Sequence, residues 1–170
     1  MSKNILRKES VIEASRIFIT GNQLEKNMAI DRMFIEQPAL MELIKYLDKA
    51  IKNEMTKEVI IQLMSIFYNA FSLQGTSISK INFEDLMTTL SKSSEMKSYF
   101  YNSQYKFDGH SFKSFVDQYS QKEILNYTYF AINNQFRELI EGEKDAFFIF
   151  YLMKTFGEVV GAHAIGDSDT

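Results

Sequence analysis

The stretch AFFIFYLMKTFGEVVGAHAIG, Ala146 to Gly166, is the most apolar part of the chain, and where it lies settles the architecture. It is either a membrane span or the buried helix of a domain. A span needs about 20 consecutive, mostly apolar residues. Only eight residues separate Asp145 from Lys154, and Glu158 follows one turn later. An ammonium near the centre of a span costs roughly 2.5–3.5 kcal/mol on insertion scales. The stretch therefore predicts a packed helix and no transmembrane segment.

Within it, Phe148, Ile149, Leu152 and Phe156 form one apolar side. Lys154 and Glu158 are four apart and share another face, which predicts a narrow solvent-facing strip. The functional reading of the same two residues is a charged pair at a pocket mouth or partner contact. Gly157 and Gly161 are spaced G-x-x-x-G, which flattens one side of a helix and lets a neighbour's backbone come close. Three readings follow: a crossing with another helix of the same domain, a helix-to-helix subunit contact, or Gly161 acting as the C-cap. His163 lies five residues beyond Glu158, about 140° around a regular helix, so these two cannot ligate one metal.

Outward from this stretch the periodicity is helical nearly throughout. Gly142 marks a turn before it, and Leu125, Tyr129, Ile132, Phe136 and Leu139 or Ile140 form a stripe on the preceding segment. Ser120 and Glu123 make an S-x-x-E box at its start. The two segments, 121–140 and 143–161, predict an antiparallel C-terminal hairpin. Near the N-terminus, Val11, Ala14, Ile17 and Phe18 form a first stripe that Gly21 stops. Asn22 with Glu25 opens the next helix as a capping box, whose apolar face is read as Leu24, Met28 and Met33 or Phe34. Pro38 suits a first helical turn, ahead of Leu40, Leu43, Ile44, Leu47 and Ile51.

Thr56 is the expected cap of a helix that is apolar around most of its circumference from Val59 to Phe71. Its polar side is narrow (Glu58, Gln62, Ser65, Asn69), which predicts an interior helix. Residues 73–81, around Gly75, read as a loop. Asn82 caps a further helix, with Asp85 in its first turn. Phe112, Phe115, Val116 and Tyr119 mark another, with Ser111 as its N-cap. The expectation is an all-α, single-domain bundle of about seven or eight helices over 1–166, with 167–170 a flexible acidic tail.

Composition narrows the function. The net charge is −3, and Lys outnumbers Arg fifteen to four. Neither half is a polycation, which argues against nucleic acid and anionic lipid as partners. The chain has no Cys, so thiolate metal sites and a Cys nucleophile are excluded, and a reducing, cytoplasmic setting fits. MSKNILRKES carries Lys3, Arg7 and Lys8 with no apolar region behind them, which predicts no secretory signal. The phosphate-binding motifs G-x-x-x-x-G-K-[ST] and G-x-G-x-x-G are missing, as are H-E-x-x-H and G-x-S-x-G. The carboxylates Glu138 and Glu141 read as solvated. In DGHS, Asp108, His110 and Ser111 have the residue types of a hydrolytic relay, but adjacent residues cannot fold into its geometry. No catalytic, metal or cofactor site is expected.

Tyr99, Phe100, Tyr101, Tyr105, Phe107 and Phe112 fall within fourteen residues, interleaved with Lys97, Lys106 and Lys113. Aromatics and cations can stack bases, but this acidic chain is poor in Arg. Tyr99, Tyr101, Tyr105 and Phe107 are therefore read as a lid, or as contacts to a partner or pocket. Arg7 to Asn22, RKESVIEASRIFITGN, resembles the first helix of TetR-type repressors. That resemblance implies a helix-turn-helix next, with a Gly in the turn and a basic recognition helix. Gln23 to Gln37, QLEKNMAIDRMFIEQ, has neither, so no function is carried over. The expected function is a non-enzymatic protein-interaction module acting through a protein partner or as a homodimer. The alternative is a bundle holding a small apolar, lipid-like ligand in an internal pocket.

Overall fold

The computed structural model describes residues 5–92, 109–140 and 142–165, of which 109–112 and 143 as backbone. The described residues form an all-α bundle of eight helices. In chain order these are α1 (Lys8–Thr20), α2 (Gln23–Glu36), α3 (Pro38–Leu47), α4 (Glu54–Leu73) and α5 (Phe83–Lys92). There follow α6 (Gly109–Gln118), α7 (Lys122–Asn134) and α8 (Gly142–His163).

Two helices organise the core. The α4 helix packs against α1, α2 and α8, and α8 packs in turn against α7 and α5. Both were expected inside, because a helix that is apolar around most of its girth must be surrounded. Phe67 and Phe71 of α4 and Phe156 of α8 are fully buried. The expected polar side of α4 divides: Glu58 stays exposed and Gln62 half-buried, whereas Ser65 and Asn69 are buried, the Asn69 amide donating to Ser65 O at 2.7 Å and Ser65 Oγ at 3.2 Å. Buried polar atoms must find such partners. None of the helices among the described residues is long and apolar enough to cross a membrane.

Several local signals act as read. Asn22 and Glu25 form a reciprocal capping box, with bonds of 2.9 and 2.8 Å. Pro38 occupies the first turn of α3. Asn82 Oδ1 accepts from Asp85 N at 2.7 Å. Gly75, at φ 78, ends α4 where Thr76 N bonds Phe71 O at 3.0 Å, a left-handed closure that glycine alone makes without strain.

Other signals are overruled by tertiary contacts. Asn53, not Thr56, caps α4, through Met55 N at 2.9 Å. Thr56 is buried three residues inside the cap, and its hydroxyl donates to Asp145 Oδ2 at 2.9 Å, joining the first turns of α4 and α8. The Ser120 box does not cap α7, which begins after Gln121 without a side-chain cap. Ser111 lies inside α6, which begins at Gly109.

The hairpin is antiparallel: the Tyr129 and Phe150 rings meet at 6.3 Å, while Gly157 lies against Ile124 and Gly161 against Gln121. Its first arm is shorter than 121–140. The α7 helix stops at Asn134 because Gln135 N and Phe136 N both turn onto Ala131 O, and Phe136 folds into the core. Nor does Gly161 end α8, which runs on to His163. Beyond it Ala164–Ile165 pairs antiparallel with Ser77–Ile78, a two-residue ladder inside the segment read as loop.

The largest departure is α2. It is one uninterrupted helix, so the turn of a helix-turn-helix is not there. Its buried residues are Ala29 and Met33, with Ile30 and Phe34 partly covered. Leu24 and Met28, read as its core face, are exposed. They lie more than about 100° around the helix from the Ala29–Met33 line that meets α4.

Candidate functional site

The glycine pair of α8 is met by its own chain. A methyl group at Gly157 would stand 2.6 Å from Tyr119 Oη and 2.9 Å from Ile124 Cδ1. At Gly161 it would stand 2.8 Å from Gln121 Nε2. The α6–α7 connection thus fills the flat side of α8. Tyr119 donates its hydroxyl proton to Lys154 O at 2.7 Å, and Gln121 Oε1 accepts from Leu6 N at 3.0 Å. Burial, with the charge of Glu158 adding to it, pushes the Tyr119 phenol far up, so it stays a proton donor.

Lys154 and Glu158 form an ion pair at 2.6 Å, but not on an open strip. The Lys154 side chain is only 14% exposed, against 36% for Glu158. Tyr119 reaches across this side of α8 and covers part of the face that periodicity assigned to solvent. Tyr99, Tyr101, Tyr105 and Phe107 lie outside the described residues.

The structure also assembles groups that no local pattern relates. His163 Nδ1 is 3.0 Å from Ser79 Oγ, and His163 Nε2 is 3.5 Å from Asp85 Oδ2. These are the residue types of a hydrolytic relay, but the geometry serves a tether. Ser79 Oγ also lies 3.2 Å from His163 O, and Ser79 N donates to that carbonyl at 2.9 Å. The His163–Asp85 separation exceeds hydrogen-bond length, and Asp85 Oδ2 already accepts from Asn82 Nδ2 at 2.7 Å. The cluster fastens the end of α8 to Ser79, in the segment that leads into α5. Sequence reasoning passed over it because Ser79 and Asp85 lie on the far side of the chain from His163 in sequence.

A second polar cluster lines a cleft of about 300 Å³ between α2, the end of α4 and Ser77–Ile78. Tyr68 Oη donates to Glu36 Oε2 at 2.5 Å, Arg32 Nε to Glu36 Oε1 at 2.9 Å, and Arg32 Nη2 to Ser72 Oγ at 2.8 Å. The Tyr68 hydrogen bond and Arg32 hold the Glu36 carboxyl below its ordinary value, against the opposing effect of burial. Burial and the Glu36 carboxylate push Tyr68 up to about 12. The groups satisfy one another. Among the described residues no cluster of three His, Cys, Asp or Glu could hold a metal ion.

Apolar surface is the more distinctive feature. A groove of about 500 Å³ runs between α1 and α7, lined by Val11, Ile12, Tyr127 and Phe130 between Lys8 and Glu123. On α2, Leu24, Met28 and Ile35 are 67%, 63% and 77% exposed.

The described residues make an all-α bundle in which the polar clusters above are internally paired and the second helix carries an exposed apolar seam. No family model, curated protein or solved structure matches the chain.

Proposed function

We propose that this protein is a non-enzymatic interaction module that associates with itself. The observation carrying the reading is the seam Leu24, Met28 and Ile35, three large apolar side chains left in water on one helix. Single exposed apolar residues are ordinary, but three large ones on one face of one helix, with Asp31 between Met28 and Ile35, point to a contact surface. The chain's nine Met and 14% aromatic residues are types enriched where proteins meet. The ionisable groups of the described clusters are engaged in holding the fold together, which supports a binding role over a catalytic one. The absence of Cys fits a cytoplasmic setting.

Size-exclusion chromatography with light scattering across a concentration series tests this. A mass rising toward twice 19.8 kDa supports self-association. A strict monomer at the highest concentration removes it.

The groove between α1 and α7 favours a second reading, an apolar ligand. Its Ile12 and Phe130 walls suit a short acyl or isoprenoid chain, although the site is a surface groove rather than an internal pocket. Native mass spectrometry separates the two: a co-purifying small molecule favours the groove, and a clean protein mass counts against it.

A further inference from the structure

We propose that the occupant of the α2 seam is the α2 helix of a second copy, lying antiparallel; this rests on the self-association reading and specifies its surface. Leu24, Met28, Asp31 and Ile35 are all exposed and follow a 4-3-4 spacing, the register of a coiled-coil seam. The opposite face of α2 is already used, through Ala29 and Met33, against α4 and α3. A helix apolar on two sides needs two partners, and its own chain supplies one.

Charge selects the second partner and its direction. Were two α2 helices parallel and in register, Asp31 would face Asp31 of the other copy across the seam, and like charges in contact repel. Antiparallel, with the two-fold axis near Ala29 and Ile30, Asp31 meets Met28 instead and Leu24 meets Ile35. The same register brings Glu25 of each copy beside Arg32 of the other, an opposite-charge pair on the flank. A two-fold contact must be complementary to itself, and this seam is. Three apolar side chains per copy give less than the roughly 800 Å² per partner of a standard interface. The association is therefore weak and reversible.

The chain contains no Cys, so introduced cysteines report one geometry each. Leu24→Cys and Ile35→Cys place thiols eleven residues apart, about 16 Å along a helix. A disulfide needs Cα atoms within about 7 Å. On mild oxidation, an equimolar mixture of the two variants is expected to yield a cross-linked heterodimer, and either variant alone little. Cross-linking of each variant alone, with none gained by mixing, would show a parallel seam and overturn the proposal. A dimer by light scattering with no cross-link in any combination places self-association on another surface and overturns it while leaving the reading beneath it intact. A strict monomer removes both. Met28→Glu, on an exposed position, sets a second carboxylate against Asp31 of the other copy and is expected to weaken dimerisation at least about tenfold with an unchanged melting curve. An unchanged dimer also sinks the proposal.

Discussion

Gln121 accepts from Leu6 N, Gln74 Oε1 accepts from Arg7 N at 3.0 Å, and Gln37 Oε1 accepts from Ile81 N at 2.9 Å. Each glutamine bonds an extended segment that has no helix of its own. Glutamine is mostly a surface residue, so two of them at 1% and 3% exposure were not foreseeable from residue type. Gly157 is tuned to the same connection. Gly157→Ala gains up to about 1 kcal/mol of helix propensity. It also drives a methyl into Tyr119 Oη and Ile124 Cδ1, and overpacking costs typically 1–3 kcal/mol. The expected result is a net loss of about 1 kcal/mol in urea unfolding; a stabilised variant would contradict the close contact. Tyr68→Phe removes the bond to Glu36. With that carboxylate nearly half exposed, the expected loss at neutral pH is about 1 kcal/mol. Because the Glu36 pKa is depressed, its contribution is present at neutral pH and lost as acid protonates it below the ordinary value near 4.5. Because the Tyr68 pKa is raised, its contribution holds below pH 10 and is lost as pH climbs through about 12. The gap between wild type and Tyr68→Phe should therefore narrow at both extremes in a pH series of unfolding curves.

Among the elements, the segment from Ser77 to Ile81 is secured from three sides. Its strand pairs with Ala164–Ile165, Ser79 meets His163, and the Gln37 amide donates to Ile78 O and Ser79 O at 3.2 Å each. Gln37→Ala leaves the Ile81 amide without its acceptor, at a cost of about 1–3 kcal/mol. Hydrogen exchange should then quicken at Ile78 to Ile81, while α4 keeps its protection. Uniform acceleration would mean that the bracket is not local. The α2 helix shows the limit of local signals. Asn22→Ala should cost about 1 kcal/mol by removing a cap that sequence and structure agree on. Nothing in the cap says which side of α2 faces the core.

For the molecule as a whole, the two apolar surfaces make separable predictions. Ile12 lies in the groove between α1 and α7, whereas Met28 lies on the α2 seam. Ile12→Lys should leave self-association unchanged in light scattering and abolish any co-purifying apolar ligand. Loss of the dimer with Ile12→Lys would move the contact to the groove. Neither surface overlaps the crossing at Gly157 and Gly161, where Tyr119 and Gln121 already occupy the space.

Helicity, the interior position of the fourth and last helices, and several helix starts are legible in the order of residues alone. Those properties depend on the order of residues along one element: apolar spacing, caps and glycine turns act over four or five positions. Which face of α2 is covered, what fills the flat side of α8 and which groups His163 joins are set by packing between elements distant in sequence. The reason is that α2 carries apolar residues on two sides, and periodicity reports that both exist without ranking them. Contact with α4 ranks them, burying Ala29 and Met33 and leaving Leu24, Met28 and Ile35 in water.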